Sequence, residues 1–235
     1  MGYNVQAAVD TKHHMIVAHE VTNVGHDRTQ LAVMAKSAQE ATGQDRMTVL
    51  ADRGYFKSEE ILQCTQDGIT PLVPKPLTSN SKAEGRFDKR DFVYDAKRNE
   101  YRCPAGERAI WRFAVIERGL TIHKYWSSAC PRCAIKSRCT TDDYRRIARW
   151  EHEQVLDAMQ RRLDRMPEAS RLRRQTVEHA FGTLKSWMGS AHFLTKTLPK
   201  VRTEMSLHVL AYNLKRALNI FGTQTLIGFM KPRPK

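Results

Sequence analysis

Polar and apolar residues alternate from Gly2 to Val9 and again from Met15 to Val21, on either side of the polar run Asp10-Thr11-Lys12-His13-His14. A period of two around a polar turn predicts a β-hairpin, with Asp10 in the turn. The first strand starts at residue 2 without a turn or cap of its own, so a further piece is expected upstream. Apolar positions at Leu31, Met34 and Ala35 then recur at helical spacing up to Ala41, with Asp27 as a candidate N-cap and Gly43 as the stop. Met47-Thr48-Val49-Leu50-Ala51 reads as a short buried strand ending on Asp52-Arg53-Gly54-Tyr55. A helix from Ser58 to Asp67, closed by Gly68, and a strand over Thr70-Pro71-Leu72-Val73 complete an order β-β-α-β-α-β.

From Pro74 the periodicity breaks up among Pro76, Thr78-Ser79-Asn80-Ser81-Lys82, Gly85 and a dense mix of charges, as expected of an inserted, partly flexible segment. Helical spacing resumes at Trp150 to Met166, through Val155, Met159 and Leu163. Pro167 breaks it, and Ser170 is a candidate cap for the next helix. That helix, Arg173 to Met188, carries two adjoining stripes at about 100° per residue. Val177, Phe181, Leu184 and Met188 form an apolar one. Arg174, Glu178 and Lys185 fall within roughly 40° of one another beside it. A carboxylate between two cations at the edge of a buried stripe suits a working site, and equally an ordinary amphipathic helix with an i, i+4 pair. Val201 to Phe221 is the last long helix, through Leu207, Leu210, Leu214 and Leu218, and residues 231–235 read as a disordered tail.

Composition narrows the function classes. The chain has 235 residues, 41% of them hydrophobic, enough for one good core and a small satellite. No apolar run is long enough to span a bilayer and the start lacks a signal-peptide pattern, so the expected location is cytoplasmic, associated with the nucleoid. A net charge of +14 favours a polyanion, most simply DNA or RNA. No internal repeat, phosphate-binding glycine loop or Ser-His-Asp arrangement stands out.

Two groups of residues carry candidate chemistry. Asp52 follows a strand and precedes a glycine and a new helix, where α/β sheets place their sites and where turn-forming aspartates are also common. Four of five cysteines, Cys103, Cys130, Cys133 and Cys139, lie in the inserted segment. In a reducing compartment, a Cys-x-x-Cys pair with two more thiols points to structural Zn²⁺, which would stabilise a stretch too polar for its own core. Cys64, on the apolar side of a helix, reads as core.

Val49-Leu50-Ala51-Asp52-Arg53-Gly54-Tyr55, together with Arg174, Glu178 and Lys185 at their spacing, resembles the second acidic motif and the glutamate motif of bacterial insertion-sequence DDE transposases. The likeness extends to Tyr3-Asn4-Val5-Gln6-Ala7-Ala8-Val9-Asp10, to Val21-Thr22-Asn23 and to the cysteine-rich insertion of one subgroup. Arg171 departs from it, standing where the family often has tyrosine. The resemblance implies a ribonuclease H-like mixed α/β sheet with flanking helices, its core over residues 1–74 and 146–228, the insertion over 75–145 and a tail over 229–235.

It also implies metal-dependent DNA strand cleavage and strand transfer. Asp52 and Glu178 would be catalytic carboxylates on Mg²⁺ or Mn²⁺, and Arg174 and Lys185 would hold phosphate or orient Glu178. The expected partner is DNA, as transposon ends and target, with a homodimer as the assembly weighed and neither membrane nor small-molecule substrate. The family's first catalytic aspartate belongs to a strand before the hairpin, with Asp10, which reads as a turn residue, as the alternative, so the chain resembles a truncated, inactive copy. The alternative is a non-catalytic, zinc-containing nucleic-acid-binding protein.

Overall fold

The computed structural model describes residues 2–76 and 82–230, and the expectations of flexibility at 78–81 and of a disordered tail at 231–235 lie outside the described residues. The chain divides into two compact units, one of residues 1–75 and 155–235 and the other of residues 76–154.

In the first unit, strands β1 (Asn4–Val9) and β2 (Ile16–Thr22) form an antiparallel hairpin. Its turn is closed by the Asp10 amide donating to the Met15 carbonyl at 2.8 Å and the His13 amide donating to the Asp10 carboxylate at 2.5 Å. Asp10 therefore sits in the turn, as the alternation predicts. Helix α1 (Leu31–Thr42) buries Leu31, Met34, Ala35 and Ala38, and Gly43 ends it in the left-handed region at φ 63°. Asp27 does not cap it through its side chain. Gln30 occupies the N-cap with no side-chain bond, because the Asp27 carboxylate is already taken by Asn4 and Gln6.

Strand β3 (Met47–Leu50) pairs in parallel with β4 (Ile69–Leu72), with α2 (Ser58–Gln66) between them. Leu31, Ile61, Cys64, Ile69, Leu72 and Val73 form one core there, joined by Met159. Cys64 is fully buried, and the burial raises its thiol pKa to about 12, as fits a core residue. The expectation of a buried β3 fails: all four of its residues are half-buried or exposed. Among the described residues, β1-β2 and β3-β4 remain two separate two-stranded sheets.

Helix α3 (Glu153–Asp164) begins three residues later than its pattern suggests, because Trp150 belongs to a strand instead. Helix α4 (Ala169–Gly182) has Glu168 at its N-cap, so Ser170 lies inside the helix and caps nothing. The chain continues through one π-helical turn, Thr183–Trp187, where the Met188 amide reaches back five residues to Thr183. Helix α5 (Leu198–Phe221) buries Val201, Met205, Val209 and Tyr212 against Ile16, Val21, Ala180 and Leu184. Its leucine stripe does not face that core: Leu207, Leu210 and Leu214 are at least half exposed. Helix α6 (Thr223–Met230) follows. No helix among the described residues is long and apolar enough to cross a membrane.

The second unit corrects the reading of an insertion without a core. It is a five-stranded antiparallel sheet of β5 (Val93–Asp95), β6 (Glu100–Arg102), β7 (Arg108–Glu117), β8 (Leu120–Trp126) and β9 (Ile147–Trp150), in chain order. Phe92, Tyr101, Ala109, Tyr125 and Ile147 form its own core. Charge density hid this sheet in the sequence. Much of that charge is paired in place, as with buried Glu100, which accepts from the Arg108 guanidinium at 2.6–2.9 Å.

Candidate functional site

Where β3 ends, the chain turns sharply and brings polar side chains from four separated stretches together. Asp52 caps a single 3-10 turn, Arg53–Tyr55, and its Oδ1 accepts from the Gly54 amide at 2.7 Å. This is the turn role that short polar side chains commonly take after strands. Its Oδ2 lies 3.5 Å from Arg173 Nη1 of α4. On the other side of Gly54 stands Asp27. Its Oδ1 accepts from Asn4 Nδ2 at 2.7 Å and Gln6 Nε2 at 2.8 Å. The Tyr55 hydroxyl donates to Gln6 Oε1. Gln6 is 1% exposed, so this network is walled off from water at its centre.

Gly54 has no side chain because the two carboxylates crowd its Cα. A Cβ there would lie 3.0 Å from Asp52 Oδ1 and 3.4 Å from Asp27 Oδ2. Two acids beside a half-buried phenol disfavour a phenolate, and Tyr55 ionises well above a free phenol, first through burial and then through the Asp27 and Asp52 charges, with Arg173 opposing.

Glu178 is brought to a different place. It is exposed on α4 and lines a cavity of about 460 Å³ with His179, Trp187, Tyr212, Lys215 and Arg216, whereas Asp52 and Arg173 line one of about 390 Å³ beside β1 and β3. In the Glu178 groove, the Tyr212 hydroxyl donates to the His14 carbonyl at 2.6 Å and lies 3.2 Å from His179 Nδ1. Burial, and then His14 and Arg216, push His179 below its ordinary pKa. Lys215 stands 5.8 Å over the ring of Trp187, which is 80% exposed.

Arg174 is exposed, and Lys185 lies 5.9 Å over the Phe181 ring. The cation that meets Asp52 is thus Arg173, one position from the residue that helical spacing selects. Asp27, Gln6 and Arg173 were missed as site residues. Asp27 reads as a helix cap in the sequence, and only the fold brings it to Gly54.

The four cysteines of the second unit do gather. Cys103, Cys130, Cys133 and Cys139 line one small cavity of about 30 Å³. The Cys139 thiol is raised chiefly by burial, and further by the charges of Cys130, Cys103 and Cys133, against a lowering by Arg145. Four soft donors suit Zn²⁺ chemically, and the oxygens of Asp27 and Asp52 suit a hard cation. No group of three or more His, Cys, Asp or Glu among the described residues is nevertheless arranged to hold a metal ion.

No curated protein and no solved structure matches the chain. A family model does, over residues 1–214, and that span takes in both units, the Asp52 loop and the Glu178 helix. The chain therefore belongs to the family defined by the transposase DDE domain.

Proposed function

We propose that this chain is the DNA-processing region of an insertion-sequence transposase, built for divalent-metal-dependent strand cleavage and strand transfer. The observation that carries the reading is the family match across residues 1–214, with Asp52 at the carboxyl end of a parallel strand. Asp52 and Glu178 are the carboxylates assigned to Mg²⁺ or Mn²⁺. When bound, such ions would activate the attacking oxygen and steady the leaving one.

In this role Asp52 would hold the ion, and Arg173, now 3.5 Å from its Oδ2, would be available to a phosphate oxygen. Arg174 and Lys185 supply further cations along the same helix. Trp187, Lys215 and Arg216 add an aromatic face and positive charge beside Glu178, as nucleic-acid grooves require. Zn²⁺ on Cys103, Cys130, Cys133 and Cys139 is a structural element of this proposal. DNA is the partner, and a homodimer its assembly.

One observation also favours a second reading, a non-catalytic nucleic-acid-binding protein: Asp52 and Glu178 line separate cavities.

One experiment separates the two readings. Duplex DNA binding is measured against salt, and end cleavage is measured in Mg²⁺ for the protein and for its Asp52→Ala and Glu178→Ala variants. The transposase reading expects steeply salt-dependent binding and Mg²⁺-dependent cleavage, abolished by Asp52→Ala or Glu178→Ala. Binding without cleavage supports the second reading. A flat salt dependence without cleavage overturns both.

A further inference from the structure

The five-stranded sheet of the second unit has two faces of different character. Tyr101, Ala109, Tyr125 and Ile147 pack on one of them into the aromatic core. The other carries Ile110, Phe113, Lys124 and Trp126, since Ile110 lies across from Trp126 and Phe113 across from Lys124. An antiparallel sheet with one face on its core is expected to turn polar residues to water on the other. Here Phe113 is 47% exposed and Ile110 39%.

A β-bulge produces this arrangement. The register of β7 against β8 shifts between Trp111 and Phe113, which makes Arg112 the extra residue. Arg112 and Phe113 are consecutive, yet both meet the same ring. The Arg112 guanidinium carbon lies 5.2 Å over Trp126, and the Phe113 ring stands 5.9 Å from it at 76°. Tyr144 adds a third ring 6.2 Å from Trp126. Bulges re-aim side chains in this way at binding sites. Arg112 is fixed there by donating to the Trp126 carbonyl at 3.2–3.3 Å and to the Ser128 hydroxyl at 2.7 Å. Trp126 and Tyr144 are half-buried, so Phe113 is the ring of the three that is open to a ligand.

Charge beside the cluster indicates what that ligand is. Arg108 shares the face of Ile110, two residues on, and Arg102 of β6 lies directly across from it. Like charges directly opposite destabilise a sheet. Glu100 accepts from the Arg108 guanidinium, while Arg102 is exposed. Toward the far end of β7, Lys124 is already paired with Glu117 at 2.6 Å, so the positive field is strongest on the Arg102 side. Over residues 76–154, 17 Lys and Arg stand against 11 Asp and Glu. An open aromatic ring flanked by arginines suits flat bases joined by phosphates. In a duplex the bases are already stacked and paired, whereas an unpaired strand leaves their faces free for a protein ring.

We propose that the β7-β8 face around Phe113 binds unpaired, single-stranded DNA. One base stacks on Phe113, and phosphates of the same strand are drawn to Arg102 and Arg108. The choice of DNA over RNA rests on the transposase reading, and the stacking itself does not.

The test uses the full chain and a labelled thymidine oligonucleotide of about 12 nucleotides, within the roughly 4–16 that single-strand folds cover. Binding is read by fluorescence anisotropy beside a duplex of equal length. Phe113→Leu keeps apolar bulk and removes the stacking face. It should weaken single-strand binding by about five- to hundredfold and leave duplex binding unchanged, whereas Phe113→Tyr, which keeps the ring, should bind as the parent does. Trp111→Ala removes an exposed aromatic from the opposite face of the same strand, and should change neither. Arg102→Ala should lower the salt slope by about one.

Parent-like single-strand binding by Phe113→Leu overturns the proposal, as does an equal loss of single-strand and duplex binding, or tighter binding of the matching uridine oligoribonucleotide. Should Phe113→Leu misfold, ultraviolet cross-linking of a 5-iododeoxyuridine strand to the parent decides instead. A cross-link at Phe113 or Trp126 is expected, and cross-links confined to other residues are the same refutation. Phe113-dependent binding in a protein without end cleavage would leave this inference standing and remove the proposed activity, and cleavage without single-strand binding would do the reverse.

Discussion

Replacing Gln6 by leucine removes the centre of the polar network that holds the Asp52 loop and puts a side chain of similar size in its place. Two bonds are lost: Nε2 to Asp27 Oδ1 at 2.8 Å, and the one that Oε1 accepts from Tyr55. The Tyr55 hydroxyl is left without its acceptor, while Asp27 keeps only Asn4 as an amide donor. A buried polar group stripped of its partner costs about 1–3 kcal/mol, the upper end applying to bonds with charged groups. The two losses come to about 3 kcal/mol.

At roughly 2–4 °C per kcal/mol for a chain of this size, the thermal midpoint should fall by about 10 °C by circular dichroism. Gln6→Glu tests the same geometry through pH. Protonated, the introduced carboxyl can donate to Asp27 and accept from Tyr55. Ionised, it sets a second charge against Asp27 in a site 1% exposed. Both burial and the like charge raise its folded pKa. The near-native stability of this variant is therefore present below about pH 4.3, the ordinary glutamate value, and is lost as pH rises through the raised one. A Gln6→Leu midpoint within about 2 °C of the parent, or a Gln6→Glu deficit that is flat between about pH 4 and 8, would refute the network.

Glu204 accepts from the Thr195 hydroxyl at 2.6 Å and from the Leu194 and Thr195 amides at 2.8 Å, which holds its pKa down to about 2. A depressed carboxyl stabilises above its unfolded value, near 4.5, and loses that contribution as pH falls toward about 2. An NMR titration of the Glu204 carboxyl with a midpoint near 4.5 would contradict these contacts. Metal analysis of the purified protein should find about one zinc per chain, removed by Cys130→Ser or Cys139→Ser. Because the second unit has its own aromatic core, those variants should keep their strand signal, and a zinc-free parent protein would end the zinc assignment.

Local pattern was enough to predict the hairpin with Asp10 in its turn, the glycine stop of α1, the β3-α2-β4 unit and Cys64 as core. In each case the deciding interaction spans only a few residues or one helical face. The five-stranded sheet was hidden because its charges are satisfied by cross-strand partners such as Arg108 with Glu100. A one-dimensional pattern registers such residues only as polar.

For α5 the sequence determined a helix, but which apolar face it buries depended on where β2 and α4 lie. Val201, Met205, Val209 and Tyr212 won that contact, and the leucine stripe did not. At the site, the sequence by itself determined that Asp52 follows a strand and that Glu178 sits at the margin of an apolar stripe. Only the tertiary structure decided that Arg173 rather than Arg174 faces Asp52, that Asp27 and Gln6 complete its surroundings, and that β1 and β3 stand apart. The reason is physical: edge pairing and charge contacts between stretches distant in sequence, 121 residues apart for Asp52 and Arg173, are set by packing of whole elements, and no local periodicity encodes them.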